Sequence, residues 1–333
     1  MSGVSVDTKP EERYDFWWTG ERSFYRLSGG EELMSALFPI KENDKWGYID
    51  SGGKVVINPQ FDEAWLYADG LAPVMIGGKY GYADEMGRVL IDPQFEDARR
   101  YSEGLARVKM GGRWGYIEKT GRIAVNPQFV GAWNFCQGLA PVTIGERWGF
   151  IDKRGKIQIH PDLDFAWEFS EDLALVMIGD RYGYIDEMGR LAINPKFDDA
   201  WCFSEDLAPA MTGEKWGYIN KMGEFVISPK FDQGWCFSEG LAPIMVKNKW
   251  GYVNKTGRRA IPARFDDAWR FSEGLARAKL KGAWGYIDKA GQVVIPPQFN
   301  RARGFSGGLA RVTAGGRWGY VDRTGKYVWQ STK

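Results

Sequence analysis

Histidine and cysteine are nearly missing from this chain. One histidine and three cysteines stand among 333 residues. A disulfide framework needs paired thiols, and a transition-metal site needs a cluster of His and Cys, so both classes are excluded. An excess of charge of one sign is missing too: 44 Lys and Arg face 43 Asp and Glu, a net charge of +1. A general nucleic-acid binder is clearly basic, so no nucleic-acid partner is expected. No apolar run approaches the roughly 18 residues that a membrane helix needs. The opening MSGVSVDTKPEERYDFWW lacks the basic stretch, apolar core and small-residue cleavage site of a secretory signal. The expectation is a cytoplasmic protein without a membrane partner. Phosphate-loop, zinc-protease and CxxC-type motifs are likewise absent, so neither an enzyme nor a cofactor is expected.

What is present is periodicity. Trp46, Tyr80, Trp114, Trp148, Tyr182, Trp216, Trp250, Trp284 and Trp318 are spaced 34 residues apart, each followed by glycine. Such a spacing without insertions means a row of identical supersecondary units. Rows of this kind usually hold a partner. Residues 33–329 are assigned to nine repeats. Residues 1–32 form an N-terminal tail and cap with a degenerate first repeat, and residues 330–333 a C-terminal tail.

Within one unit, FDDAWRFSEGLARAKLKGAWGYIDKAGQVVIPPQFNR (265–301), four short strand signals follow one another: FDDAWRF, LARAKL, WGYID and QVVIP. Each is apolar-rich and bounded by turn residues. The turn before WGYID reads as a tight hairpin. The turn after it always carries Gly, such as Gly53, Gly87 and Gly223, which predicts a positive φ. The fourth strand is expected to end at Pro (Pro59, Pro93, Pro229). Alternation assigns Ala72, Val74 and Ile76 to the core. The glycine of WGYID is expected to admit a neighbouring backbone or ring. The SEG corners (Ser102-Glu103-Gly104, Ser238-Glu239-Gly240) read as turns whose Ser and Glu bond local backbone. The Asp closing WGYID interchanges with Asn220 and Asn254, which points to turn hydrogen bonding and not to acid–base chemistry.

This pattern resembles the WG-repeat family, also called KWG repeats, of mostly bacterial proteins. KWGYID at 45–50, KWGYIN at 215–220 and the FSEGLA corners at 237–242 and 271–276 carry the resemblance. The resemblance implies an all-β repeat and brings no catalytic residues with it.

Two all-β architectures fit tandem 34-residue repeats of short antiparallel strands. The expected one is an open, superhelical, solenoid-like array; the alternative is a closed, propeller-like ring. Four strands in 34 residues is tight for a blade, and nine blades exceed the usual range. In the open array, Leu27 and Leu33 mark the degenerate copy, Tyr14, Phe16, Trp17 and Trp18 cover one end, and Trp329 marks the other.

Positions that change between copies carry what functional information there is. Three change together: Trp65-Pro73-Met75, Arg99-Arg107-Lys109, Trp133-Pro141-Thr143, Trp167-Leu175-Met177, Trp201-Pro209-Met211, Trp235-Pro243-Met245, Trp269-Arg277-Lys279 and Arg303-Arg311-Thr313. Where Trp becomes Arg, Pro becomes Arg as well, so the first two positions touch. One reading is a second apolar layer in which Trp stacks on Pro. The other is an exposed binding face built from the Trp, Pro209, Pro243, Met211, Met245 and the arginines; Arg and Lys argue against full burial, and Trp, Met and Arg suit interfaces. The expected function is a non-enzymatic scaffold for a protein or peptide partner. A carbohydrate-binding repeat protein using the Trp ladder is the alternative. His160 takes the place of a turn Asn, and Cys202 and Cys236 form a structural thiol pair one repeat apart, with no metal.

Overall fold

A computed structural model describes residues 37–332. These residues form nine antiparallel sheets. In the sixth, the strands are Asp199–Ala200, Ala208–Thr212, Lys215–Ile219 and Phe225–Phe231, hydrogen-bonded in sequence order. Six others have the same four strands. The first sheet holds three (Phe38–Glu42, Lys45–Ile49 and Val55–Phe61), and in the fourth a single bridge, Ala132 to Val142, stands for the first strand.

Local chemistry explains each turn. The hairpin between second and third strands has two central residues at positive φ: 61° and 77° at Gly77-Gly78, and 51° and 59° at Lys247-Asn248. That is the turn whose twist matches a two-residue hairpin. The next turn is capped by the Asp or Asn after WGYI. The Oδ1 of Asp186 accepts the N–H groups of Met188 and Arg190, and Asn220 does the same for Met222 and Glu224. The glycine there needs two properties at once. At Gly223 φ is 76°, and a Cβ would lie 2.7 Å from Cγ2 of Ile193 in the preceding sheet.

The fourth strand does not end at proline. It runs on to the following phenylalanine with extra residues inserted: Trp216 pairs with Phe231, but Tyr218 pairs with Ile227. This bulge carries Pro229 across the glycine of WGYI. A Cβ on Gly217 would sit 2.5 Å from the carbonyl oxygen of Ile227 and 2.8 Å from the nitrogen of Pro229. Only glycine leaves room for that crossing.

Every sheet is buried on both faces, because each packs on its two neighbours. One face offers Leu, Tyr, Ile and Phe (Leu37, Tyr48, Ile57, Phe61), and the next sheet offers small residues (Ala72, Val74, Ala83). Ile76, assigned to the core from alternation, is 40% exposed, since the strand outruns its neighbour there. The buried tyrosine ties the layers together. Tyr48, Tyr82, Tyr116, Tyr184, Tyr218, Tyr252 and Tyr286 each donate their hydroxyl to a backbone carbonyl of the next sheet, at 2.7–2.9 Å. Phe150 lacks that hydroxyl, and at its junction the first strand runs unbroken from Phe165 to Ser170.

The corners are also bonds between sheets. Ser102, Ser170, Ser204, Ser238 and Ser272 donate to the carbonyl 33 residues on. Glu239 accepts the N–H of Gly274 and is joined by Lys289 at 3.0 Å. The expectation of local bonding at these corners is corrected: the partner lies one repeat away.

The open array is corrected as well. The ninth sheet packs on the first. Tyr320 donates its hydroxyl to the carbonyl of Pro39 at 3.0 Å, and its ring lies 5.3 Å from Phe38. Trp318 lies 5.9 Å from Trp46, Trp329 Nε1 donates to Glu42 at 3.3 Å, and a Cβ on Gly53 would strike Val328. Leu309 and Tyr320 of the ninth sheet share a core with Phe38, Ile40 and Ile49 of the first, which are larger than the Ala and Val offered at the other junctions. The architecture is a nine-bladed β-propeller. A blade fits into 34 residues because its first strand is only two residues long in six of the blades and a single residue links it to the blade before. Trp329 therefore lies at a seam and not at a free end. Leu27, Leu33, Tyr14, Phe16, Trp17 and Trp18, assigned above to a degenerate copy and an end cap, lie outside the described residues.

Candidate functional site: the inner ring

In a closed ring, blades converge toward the axis and diverge at the rim. The fourth strands alternate buried and exposed residues, with Leu90 and Val226 about half exposed, so they lie at the rim. The first strands lie inside, where residues 34 apart meet directly. Trp133 and Trp167 are 4.7 Å apart between ring centroids, Trp201 and Trp235 are 5.4 Å apart, and Trp235 and Trp269 are 6.1 Å apart. The ladder of the sequence is a circle in the structure.

Each residue of the circle except Trp167, which follows the blade of Phe150, is held through its backbone from two sides. The N–H groups of Trp65, Trp133, Trp201 and Trp235 donate to the carbonyls of Pro73, Pro141, Pro209 and Pro243, at 3.0–3.1 Å. Those of Arg99, Trp269 and Arg303 donate to the carbonyls of Arg107, Arg277 and Arg311. This is the contact that the joint Trp/Pro and Arg/Arg variation predicts. From the other side comes the tyrosine hydroxyl of the preceding blade. Burial pushes the pKa of these tyrosines up, which keeps the hydroxyl protonated and able to donate.

The side chains fall into three groups. Pro209 and Pro243 are buried, as are Trp167 (4% exposed), Arg107 (6%) and Arg277 (8%). A partner does not reach the prolines, which act as acceptors, and this corrects their place in the binding face. Arg107 lies over Trp114 and Trp133 and donates to the carbonyl of Ala132 in the next blade; Arg277 lies over Trp269 and Trp284 and donates to that of Ala302. Burial, with the charge of Arg99 behind it, lowers the Arg107 guanidinium to about 10. These two arginines are pins between blades. Trp65, Trp133, Trp201, Trp235, Trp269, Met211, Met245 and Arg99 are half-buried, and Arg303 and Arg311 are exposed. Arg99 pairs with Asp97 at 2.9 Å and lies over Trp65.

The remaining candidates resolve simply. His160 is exposed on a fourth strand. Cys202 and Cys236 are buried and outside any disulfide, and the Cys236 thiol donates to the carbonyl of Cys202 at 3.5 Å. No group of His, Cys, Asp and Glu among the described residues is arranged to hold a metal ion. Sequence reasoning missed Arg301, beside Arg303 on the inner strand; its signal was a cation where other copies have Glu63, Asp97, Asp199 and Asp267.

The fold and repeat both have counterparts. A family model described as "WG containing repeat" matches eight consecutive segments, from 46–80 to 284–318. No curated protein matches the chain. A crystal structure titled as that of the eukaryotic initiation factor shares the fold over 89% of this chain and 96% of its own, with a TM-score of 0.65 at 11% identity. The dihydro-heme d1 dehydrogenase NirN aligns over 92% of this chain and 75% of its own, with a TM-score of 0.47 at 11% identity. Hsv2p of Kluyveromyces lactis aligns over 56% and 71%, with a TM-score of 0.39 at 11% identity.

Proposed function

This chain belongs to the WG containing repeat family, and from that premise we propose that it is a non-enzymatic binding scaffold that takes a protein or peptide partner on its inner ring. The observation that carries this reading is the half-burial of Trp201, Trp235, Trp269, Met211 and Met245 on backbone fixed from two sides. Rigid aromatic anchors lose little conformational freedom when a partner covers them, and they dominate interface energetics. The arc from Trp133 to Trp269 is the aromatic sector.

Panning a random peptide library on the full chain tests the reading. Peptides selected on the native protein should bind a Trp201→Ala, Trp235→Ala variant at least about ten-fold more weakly, with circular dichroism unchanged. Failure to select any peptide, or equal binding by a folded variant, refutes it. The indole faces alone favour a carbohydrate ligand. The buried prolines supply none of the planar polar groups that sugar sites place beside a ring, so this reading ranks second, and a glycan array tests it.

A further inference from the structure

Ring closure changes the charge map. Along the chain, the arginine positions flank the aromatic copies on either side; around a ring, blade nine adjoins blade one. Blade nine departs from the repeat at three acidic positions and keeps only the turn-capping acid, Asp322. Asp62, Asp164, Asp198, Asp232 and Asp266 correspond to Asn300, the inner-strand acids to Arg301, and the corner Glu103, Glu171 and Glu205 to Gly307. Residues 300–332 thus carry six cations (Arg301, Arg303, Arg311, Arg317, Arg323 and Lys326) and one acid, Asp322.

Three of these cations share one face. Arg301 pairs with Thr313 across the inner strand, Arg303 follows two residues later, and its N–H bonds the carbonyl of Arg311, two residues before Thr313. All three are exposed. Arg107 and Arg277, at the position of Arg311, are buried and donate to the next blade; Arg311 instead lies over Trp318, 4.2 Å from its centroid. No carboxylate among the described residues forms an ion pair with Arg301 or Arg311. Cations held close together repel one another and attract an anionic ligand.

We propose that this basic sector docks an acidic, extended segment of a partner protein, which deepens the scaffold reading by naming the chemistry of the partner. A short acidic segment fits better than a long polyanion. Residues 164–231, blades five and six, lie four and three blades from blade nine around the ring and hold 13 Asp and Glu against six Lys and Arg. A nucleic acid crossing the ring meets that repulsion, while a short segment feels only charges within a Debye length, about 8–10 Å.

Fluorescence anisotropy with a labelled octaglutamate peptide and the full chain tests the proposal. The native protein should bind it saturably and lose affinity as salt rises from about 50 to about 200 mM. Arg301→Gln, Arg311→Gln should bind about ten-fold more weakly, Arg301→Lys, Arg311→Lys should retain binding, and octaglutamine should not bind. Equal octaglutamate binding by the Gln variant, no saturable binding by the native protein, or tighter binding of oligothymidylate than of octaglutamate overturns the proposal. Library peptides that depend on Trp201 and Trp235 report on the scaffold reading separately, because neither tryptophan is altered in these variants.

Discussion

Two glycines near one hairpin separate steric from conformational cost. Gly213 has φ of 57°, and a Cβ there would meet nothing within 4 Å. Gly213→Ala therefore adds only the left-handed penalty of an L-residue, about 1–2 kcal/mol. Gly217 has no positive φ, but its Cβ would come 2.5 Å from the Ile227 carbonyl oxygen and 2.8 Å from the Pro229 nitrogen. Both are backbone atoms of the strand that crosses it, so no rotamer change relieves the clash. Relief requires shifting the fourth strand, which also carries Ile227, a buried member of the layer between blades six and seven. Overpacking costs about 1–3 kcal/mol, and lost strand pairing adds to it, so Gly217→Ala should cost more than about 3 kcal/mol. Thermal unfolding followed by circular dichroism should place the two variants in that order, with Gly217→Ala showing the larger fall in midpoint. Equal falls would refute the close crossing as the reason for glycine in every WG pair.

Other outcomes follow from single contacts. Tyr218→Phe leaves the Trp235 carbonyl without its 2.9 Å donor and should cost about 1–2 kcal/mol in denaturant unfolding, with the fold intact, as the natural Phe150 shows a junction can form without this bond. At Asp186 burial pushes the pKa up, but the N–H groups and guanidinium of Arg190 and the Met188 N–H more than offset it, so the folded pKa lies below the ordinary value. A lowered folded pKa contributes stability that is present above the unfolded pKa, near 4, and is lost as pH falls through the folded value. Asp186→Asn, which imitates Asn220, should keep the turn and flatten the acid limb of a stability–pH profile; a steeper limb would count against the account. In thiol titration Cys136, which is half-buried, should react before Cys202 and Cys236, and all three should react after denaturation. Fewer than three reactive thiols after denaturation would argue against three cysteines outside disulfides.

Much of the blade was legible because its determinants are local. The hairpins, the capped turn with its Asp/Asn interchange and the touching Trp/Pro pair all connect residues within about a dozen positions. Ring closure was not legible. Its contacts join Tyr320 to Pro39 and Trp329 to Glu42, and no spacing within the repeat encodes them. The corners misled for a related reason. Ser238 and Glu239 sit in a turn and could serve it, but their partners, Phe271 and Gly274, are one repeat away, where periodicity makes every position look alike. The covarying positions are neighbours, as their joint variation suggests, but their depth was not legible. Alternation places Pro209 and Trp201 on one face, and only the packed structure reveals that the proline is buried and the indole half-buried.

The seam that joins Trp318, Tyr320 and Trp329 to Phe38, Trp46 and Glu42 turns a row with eight junctions into a circle with nine. In a row, the outermost units are held on one side, and unravelling starts there. A circle offers no such starting point. One junction must part before any blade loses a neighbour, and once it has parted the molecule is a row with two ends. The lifetime of the native state is then governed by the rate of that first parting. Weakening a single junction anywhere in the circle should shorten that lifetime.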